Sequence, residues 1–576
     1  MAKALFVCSK NNDISKFTTN VLDTMARRLA PDNILPEYKE IQRTEKTLSV
    51  VFSPDTLIEA HDGSVILGAA ETENQKWWVP GSDIPDGAYC MIRSDGKDIE
   101  LLTDVAGSRS IWFVVTSEMF IAATSQRAIL MVLGSFHPNS SAAAWMLSAG
   151  CLGPSNSWDE RLQVVPQDSC LSFNRLTWQT TTKTVPVEFS DAGFSKKEYE
   201  SGFEEALSET FEKLTFDSAN SVLALSGGYD SRASLIFFNR LGNVPKCITW
   251  GQEEARQLKG TDSNIAAQLT KKYQVSHKFF STDLSPEPIS LLLDRVLMAM
   301  EGRIAHLEAA LDGFDRYKQL RESGISALIR GDEGFGWITV YDERDVLESV
   351  GLLTLRDFSN AARLEAEAFP VQDIPEAMRF KRNHESLAVW RDRLYHQYRM
   401  PVILAALAEG RLSYLEQINP MLSRRIIYNV RKQPDSLRTE KMLFRKVIDR
   451  LEPQIPIADK SSLGSLGKLL DNEKVRSLFI EELNSQNTTQ VLPDTLVRTC
   501  LNHLENFKQN TSQTNSRLKS VRNYVPSALL PYARRLRRKL NPPRRELSTS
   551  DLLIRSYIVS RMNHILTEDA KSVKIA

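Results

Sequence analysis

The sequence feature that most constrains the fold is the segment Ser226–Ser231, SGGYDS, which lies between an apolar run and a helical pattern. The run Val222–Leu225 predicts a strand, and Ser231–Leu241 predicts a helix that ends at Gly242. Two glycines let the backbone turn tightly and bring N–H groups close to an anion, and the following helix N-terminus adds partial positive charge. No lysine follows the glycines, so this is not the GxxxxGK[ST] loop. The arrangement predicts a phosphate-binding loop at the tip of a strand.

Asp230 within this segment cannot bind phosphate directly, because two negative charges repel. A carboxylate at this position could instead hold Mg²⁺, which bridges to phosphates. Asp332 follows the predicted strand Ile325–Ile329. The carboxyl ends of parallel strands meet at one edge of a sheet, so Asp230 and Asp332 are expected to form a Mg²⁺ pair there.

Strand-like and helical runs alternate from residue 195 onward. Cys247–Trp250, His277–Phe280 and Ile325–Ile329 predict strands, and Ser263–Tyr273 predicts a helix between the first two. This alternation is typical of a parallel sheet covered by helices. After residue 345 the chain is expected to be almost wholly helical.

The first 190 residues have a different pattern, with short apolar runs separated by turn residues. The predicted strands are Leu48–Phe52, Val65–Leu67, Tyr89–Ile92, Ile99–Leu102, Ile111–Val115 and Phe120–Ala123. A helix is predicted at Ser125–Leu133. The chain is therefore divided into a β-rich domain (1–190), an α/β domain (195–470) and a helical, partly basic extension (471–576).

Charge and composition exclude several classes of protein. The 576 residues carry 72 Lys+Arg and 72 Asp+Glu, which argues against general binding to nucleic acid or anionic membranes. The six cysteines are scattered without CxxC spacing, so neither a zinc cage nor a disulfide framework is predicted. No apolar run approaches the ~20 residues of a membrane span, and the N-terminus lacks a signal-peptide core. A soluble cytoplasmic protein, either monomeric or oligomeric, is expected.

One local charge imbalance stands out. Residues 516–545 contain ten Lys or Arg and no Asp or Glu. The segment is either a solvated basic helix and linker or a docking surface for an acidic partner.

The SGGYDS segment resembles the SGGxDS pyrophosphate-binding loop of the ATP-pyrophosphatase (PP-loop) superfamily. More narrowly, it resembles the synthetase domain of asparagine synthetase and its relatives, the β-lactam synthetases and lasso-peptide cyclases. Four further stretches carry this resemblance, in the family's order. They are Ile248–Gly251 at the adenine-binding strand, Arg330–Trp337 (family GADELFGG), Leu415–Leu422 (family VExRxPFLD), and Lys441–Arg445 followed by Ile457–Lys460 (family KxxLR…RxK). The resemblance spans residues 60–465, or about 70% of the chain.

This resemblance implies an N-terminal Ntn-type αββα sandwich followed by a PP-loop parallel-sheet domain, and it implies ATP and Mg²⁺ as cofactors. Asp230 and Asp332 would carry the metal. Lys460 would stabilise charge on the α-phosphoryl group, Glu416 would help deprotonate the attacking amine, and Lys441 would contact phosphate or support the site. The residues expected to bind ATP are Ser226, Gly227, Gly228, Asp230, Ser231, Thr249, Gly251, Gly331 and Arg445.

Two departures from the family pattern limit what the resemblance implies. Ile418 replaces the arginine of the VExRxP stretch, so specificity for aspartate is not carried over. The N-terminal domain resembles the family's glutaminase domain at Asp86–Tyr89, Thr103–Gly107, Ser110–Phe113, Ala122–Ser125, Gln163–Pro166 and Cys170–Phe173. The resemblance implies a degenerate domain, because glutaminase chemistry needs a cysteine whose own α-amine serves as base. Here residue 2 is Ala2, and Cys8 has no such amine. The nitrogen is expected to come from ammonia or a substrate amine.

The expected activity is that of an AMP-forming carbon–nitrogen ligase, without glutaminase activity, acting on a small-molecule or peptide carboxylate and an amine. One alternative is a PP-loop sulfur-transfer enzyme, which normally needs cysteines near the loop, whereas Cys247 is a predicted strand residue. The other is a degenerate synthetase that acts as a binding or regulatory subunit. The sequence leaves the identity of the substrates open.

Overall fold

The computed structural model describes residues 2–11, 13–54, 57–73, 76–366, 369–462, 469–486, 488–507 and 545–573. The predicted basic segment lies outside these residues except for Arg545. Within the described ranges, no helix has both the length and the apolar character needed to cross a bilayer.

The N-terminal part contains two six-stranded antiparallel sheets, with strand orders β10-β8-β9-β1-β3-β2 and β12-β11-β7-β6-β5-β4. The strands are β1 Lys3–Ser9, β2 Tyr38–Arg43, β3 Thr47–Phe52, β4 Ile58–His61, β5 Ser64–Ala70, β6 Gly87–Ser94, β7 Asp98–Thr103, β8 Trp112–Val115, β9 Met119–Ala123, β10 Gln163–Val164, β11 Ser169–Asn174 and β12 Gln179–Thr184. Each of the six strands predicted here coincides with one of these.

Strand β1 shows how the first sheet is covered on both faces. Ala4, Phe6 and Cys8 pack in the core between the two sheets, whereas Leu5 and Val7 pack in the core that contains the helices. Successive side chains of a strand point to opposite faces, so a strand buried on both faces shows no polar alternation. The sequence analysis did not single out β1, although its apolar run Ala4–Cys8 resembles the runs that predicted β3 and β13.

Three helices accompany the first sheet: α1 Thr19–Leu29, α2 Gln126–Leu133 and α3 Ser140–Ala149. The predicted second helical layer, on the outer face of the second sheet, is not found in the described part of the chain. The apolar cluster there consists of Ile66, Tyr89, Met91 and Leu102 with Trp77, and no helical residue belongs to it. The loop that carries Trp77, which is 5% exposed, covers this face instead of a helix. A large indole ring supplies the apolar area that a helix would otherwise bury.

The second part is built on a five-stranded, wholly parallel sheet with the order β15-β14-β13-β16-β17. Its strands are β13 Ser221–Ala224, β14 Lys246–Gly251, β15 His277–Ser281, β16 Ala327–Ile329 and β17 Glu416–Ile418. The chain runs outward from β13 to one side and then returns to its other side with β16. Ligands of open α/β sheets bind at the carboxyl ends of the strands beside such a reversal.

Strand β17 is the exception in the part of the chain after residue 345, which was predicted to be almost wholly helical. It has three residues, which is too short for a recognisable pattern. The chain is otherwise mixed α/β, as predicted, with two antiparallel sheets and one parallel sheet.

The remaining helices cover the parallel sheet and form the C-terminal part. They are α4 Lys196–Lys213, α5 Tyr229–Arg240, α6 Asp262–Lys272, α7 Ile289–Met300, α8 Asp315–Glu322, α9 Glu343–Val350, α10 Ala361–Ala366, α11 Glu376–Arg379, α12 Leu387–Leu394, a π-helix Tyr395–Leu404, α13 Ala405–Leu412, α14 Arg424–Arg431, α15 Asp435–Arg438, α16 Met442–Leu451, α17 Glu473–Leu483, α18 Asp494–Glu505 and α19 Thr549–Ser572. Short 3₁₀ helices span Asp13–Lys16, Glu253–Arg256, Leu307–Ala310, Leu355–Asp357, Pro420–Leu422, Thr439–Lys441, Leu469–Asp471 and Thr488–Gln490. Helix α19 packs on α2 and α3, so the end of the chain contacts the N-terminal part.

Candidate active site

A pocket of about 220 Å³ lies at the carboxyl edge of the parallel sheet. Three neighbouring strands deliver its lining: Ser226, Asp230 and Ser231 follow β13, Thr249 and Trp250 belong to β14, and Arg330, Gly331 and Asp332 follow β16. The predicted phosphate loop and the predicted carboxylate pair therefore line one space.

The loop between β13 and α5 is held in shape by its own serines. The Ser226 N–H donates to Ser231 Oγ at 2.9 Å, and the two hydroxyl oxygens lie 3.0 Å apart. The Gly228 N–H donates to Ser226 Oγ at 3.2 Å. Helix α5 begins at Tyr229, so its amino end and the positive end of its dipole adjoin the pocket.

Two glycines let neighbouring segments approach the loop. A Cβ on Gly227 would lie 2.4 Å from Ala458 Cβ, and one on Gly331 would lie 2.8 Å from the carbonyl carbon of Asp230. Both distances are shorter than real Cβ contacts allow. Glycine at these positions therefore brings the segment after β16 and the segment around Ala458 into contact with the loop.

Asp230 belongs to a cluster of charges with Lys441 and Glu333, and the sequence analysis did not name Glu333. Lys441 Nζ lies 3.0 and 3.1 Å from the two Asp230 carboxylate oxygens and 2.6 Å from Glu333 Oε1. Burial lowers the pKa of the Lys441 ammonium, but Glu333 and Asp230 outweigh it, so the pKa lies above its usual value. The pKa of Glu333 lies above its usual value. Burial and the negative charge of Asp230 raise this pKa, and Lys441 lowers it in part. Glu333 adjoins Asp332 in the sequence, and this adjacency was the available signal.

The backbone that presents Lys441 is strained. Glu440 and Lys441 both have φ of 58°, a left-handed conformation that non-glycine residues rarely adopt. The Glu440 side chain holds this turn by accepting a hydrogen bond from the Thr339 N–H at 2.9 Å. Strain of this kind costs about 1–3 kcal/mol per residue and clusters at functional sites. Here it aims a lysine at two carboxylates.

Asp332 is held by different partners. Arg330 Nη2 donates to it at 3.2 Å, Gln417 Nε2 donates at 3.1 Å, and Arg411 lies 3.8 Å away. Burial raises the pKa of Asp332, but the two guanidinium groups outweigh it, and the net pKa is lowered. Asp332 is therefore ionised at neutral pH.

The second strand supplies a polar and an aromatic group to the pocket. Thr249 Oγ1 donates to the Leu225 carbonyl at 2.6 Å and lies 2.9 Å from His277 Nε2. The guanidinium of Arg330 lies 6.0 Å from the ring of Trp250. Asp262, which the sequence analysis did not single out, also lines the pocket and accepts a hydrogen bond from the Gly227 N–H at 3.3 Å.

Some of the sequence-predicted residues form the pocket and others lie outside it. Ser226, Asp230, Ser231, Thr249, Gly331 and Asp332 line the pocket, and Gly227, Gly228 and Gly251 belong to the segments that form it. Lys460, Arg445 and Glu416 are not part of the lining. Lys460 Nζ is exposed and donates to the Lys259 carbonyl at 3.1 Å, and the Arg445 guanidinium lies 5.5 Å from the ring of Tyr229.

Glu416 lies at the opposite edge of the sheet. It is the first residue of β17, whereas the pocket adjoins the carboxyl ends of the strands. Its fully buried carboxylate forms an ion pair with Arg109 and accepts a hydrogen bond from the Ala2 N–H at 3.3 Å. This geometry gives no support to the predicted role in deprotonating an amine. The neighbouring Gln417 is the residue that reaches the site.

The donor set fits Mg²⁺ when phosphate is also present. No group of three His, Cys, Asp or Glu side chains in the described ranges could hold a metal ion by itself. Mg²⁺ is typically bound by one or two carboxylates, with phosphates and water completing the octahedron. Asp230, whose side chain is 37% exposed, and Asp332 provide the two carboxylates. Lys441 would have to release Asp230 for the metal to bind.

The N-terminal part places Cys8 in the core between the two antiparallel sheets, where it is 1% exposed. Burial raises the pKa of its thiol, which Arg175 partly counteracts. A buried thiol with a raised pKa is a poor nucleophile.

No family model matches the chain, and no curated protein sequence matches it significantly. Among solved structures, a U34-tRNA thiolase from Methanococcus maripaludis is 11% identical over 57% of this chain and 86% of the thiolase, with a TM-score of 0.22. A glutamine phosphoribosylpyrophosphate amidotransferase from B. subtilis is 9% identical over 61% of this chain and 90% of its own, with a TM-score of 0.18. An allosteric regulatory enzyme of purine biosynthesis is also 9% identical, over 50% and 82%, with a TM-score of 0.18. At these TM-scores the likenesses carry no argument about activity.

Proposed function

We propose that the chain is an ATP-dependent ligase that forms amide bonds. A substrate carboxylate oxygen attacks the α-phosphorus of ATP and pyrophosphate leaves. The amine of ammonia or of a substrate then attacks the acyl carbon, and AMP leaves with the loss of one proton from nitrogen. The observation that supports this proposal is the shared pocket, in which the Ser226–Ser231 loop and Asp332 lie beside the chain reversal at β13.

The lining divides into parts suited to different portions of ATP. The loop hydroxyls and the amino end of α5 suit the β- and γ-phosphates, which leave as pyrophosphate. Thr249 and Trp250 suit the nucleoside. Arg330 is the guanidinium in the lining, and it suits the charge that develops around the α-phosphoryl group. The proposal does not require Lys460, whose predicted role stays a prediction.

Asp230 and Asp332 would hold Mg²⁺, which neutralises phosphate charge and orients the leaving group. Lys441 would then exchange its contact with Asp230 for one with phosphate while keeping Glu333 as its anchor. Glu333 and Asp230 raise the pKa of Lys441 in its present contacts, so the ammonium is charged before the exchange.

The alternatives are less well supported by the side chains present. None of the six cysteines lines the pocket, and burial raises the pKa of Cys247 to about 12, so sulfur transfer has no thiol at hand. A degenerate subunit that no longer binds Mg·ATP would have no need for two carboxylates beside a phosphate loop.

The test is exchange of labelled pyrophosphate into ATP, measured with Mg²⁺ and a panel of small and peptide carboxylic acids. We expect exchange with a subset of acids and AMP as the nucleotide product. Asp230→Asn should abolish exchange, because it removes a metal ligand. Asp449→Asn is the matched control. Asp449 accepts a hydrogen bond from the Tyr229 hydroxyl at 3.0 Å and does not line the pocket, so this variant should retain exchange.

Formation of ADP and phosphate would contradict the adenylation step. Equal exchange in Asp230→Asn and in the wild-type protein would contradict the assignment of the pocket.

A further inference from the structure

A second cavity, of about 280 Å³, lies between the N-terminal sheets and the π-helix. We call it the interdomain cavity. Its lining comes from the loop after β7, the start of β8, the segment after α3, the link between β10 and β11, and Gln397, Tyr398, Pro401 and Val402 of the π-helix. Ser155 and Thr184 line it and are exposed, so it opens to solvent there. None of its lining residues belongs to the candidate active site.

Two buried ion pairs beside the interdomain cavity have their arginine on the cavity side. Arg109 and Arg303 line it and are 5% and 4% exposed. Their acidic partners, Glu416 for Arg109 and Glu409 for Arg303, do not line it. Each ion pair therefore presents its cation to the cavity and its anion to the protein behind. No acidic residue in the described part of the chain lines the cavity.

Several hydrogen-bond donors at this cavity lack acceptors among the described residues. Arg109 donates through Nη2 to Glu416, and neither its Nε nor its Nη1 has a protein acceptor. Arg303, by contrast, donates to both Glu409 and Ser110 Oγ and stacks 4.6 Å from the Trp112 ring. The indole Nε1 of Trp112 has no partner among the described residues, but it is buried away from solvent and does not face the cavity. The remaining N–H groups of Arg109 can donate charge-assisted hydrogen bonds to an anionic ligand in the cavity.

We propose that the interdomain cavity binds a small organic acid, with its carboxylate held by the Arg109 guanidinium. The apolar part of the ligand would pack against Leu152, Val164 and Val402, which line the same space. A protonated amine finds no anionic partner there, because the described lining contains no carboxylate and two arginines repel it. A mostly apolar cavity with a few convergent polar groups is the usual form of a small-molecule site.

The test uses three probes that share one ring and differ in charge: benzoate, benzamide and benzylamine. Binding to the full chain is measured by ligand-observed NMR. Probe concentrations up to about 10 mM are used so that dissociation constants in the millimolar range can be detected. We expect benzoate to bind, benzamide to bind at least about tenfold more weakly because it forms no charge-assisted hydrogen bond, and benzylamine not to bind.

Two variants locate the site. Val402→Trp should fill the cavity and abolish benzoate binding, and Thr184→Trp should block its exposed rim with less effect on packing. Val371→Trp is the control, since Val371 is 84% exposed and lies outside the lining. The proposal is overturned if benzoate fails to bind, if benzylamine binds as tightly, or if a folded Thr184→Trp protein binds benzoate unchanged.

Discussion

Lys441 contacts carboxylates that come from two different segments, and at the residue scale this contact holds the candidate site together. Asp230 lies in the first turn of α5, and Glu333 follows β16. With side chains 37% and 6% exposed, these acids would repel each other without the ammonium between them. The sequence analysis named Lys441 only as a phosphate contact or support, and it did not name Glu333.

We expect Lys441→Met to lower the pyrophosphate-exchange rate at least about tenfold, because it removes a charge-assisted contact worth ~1.5–3 kcal/mol. The matched control is Lys446→Met in α16, the helix that follows Lys441. The Lys446 side chain is 62% exposed and pairs with Glu200 on the surface. Exchange rates of the two variants at saturating ATP check the prediction. Comparable rates in both variants would show that Lys441 has no part in the reaction.

At the scale of elements, the strand–loop–helix unit β13–α5 depends on close packing of its loop. The Cβ of an alanine at position 227 would meet Ala458, Ile265 and Asp262, whereas at position 228 the nearest atom is Ser226 Oγ at 3.4 Å. We expect Gly227→Ala to lower the free energy of unfolding by about 1–3 kcal/mol through overpacking. Gly228→Ala should unfold like the wild-type protein. Thermal or denaturant unfolding of both variants gives the comparison, and equal loss in the two would contradict the packing argument.

The elements also show which parts of the fold and site the sequence could predict. β13, α5 and the loop between them were predictable, because an apolar run, two glycines and a helical pattern occur in the order that local physics requires. β17 was not predictable, since it has three residues. β1 was overlooked, although it is an apolar run of the kind that predicted β13. Because β17 was not recognised, its first residue, Glu416, was expected at the site. Sequence similarity does not show at which edge of the sheet a residue lies when its strand is not recognised.

Side-chain direction was the other information that the sequence lacked. Lys460 was expected to reach the phosphates, but its backbone pairs with Thr261 and Gly260, and its ammonium is exposed beside Lys259. Asp262 and Arg330 line the pocket because their segments converge in three dimensions. The position of Arg330 directly after a strand was a usable signal, whereas Asp262 had none beyond its place at the start of a helix.

At the scale of the whole molecule, buried ion pairs join distant parts of the chain. Lys3 pairs with Glu301 at 3.0 Å, and both side chains are 2% exposed. Asp569 near the C-terminal end of α19 is fully buried and accepts from Arg127 Nε at 2.6 Å and Arg28 Nε at 2.5 Å. The Asp569 pairs fix the last helix to the N-terminal part, and the Lys3–Glu301 pair joins β1 to the end of α7. They imply that the two ends of the chain unfold together.

We expect Asp569→Asn to lower the free energy of unfolding by about 3–5 kcal/mol, because it leaves two guanidinium groups without their buried anion. The neighbouring Glu568→Gln is a matched control. Its side chain is 54% exposed and lies 3.4 Å from Arg28, so its loss should change stability by less than about 1 kcal/mol. Denaturant unfolding, followed by circular dichroism and by tryptophan fluorescence, compares the two. The C-terminal helix would not be part of the cooperative unit if Asp569→Asn were as stable as Glu568→Gln, or if it unfolded in a separate early step while the tryptophan signal stayed native.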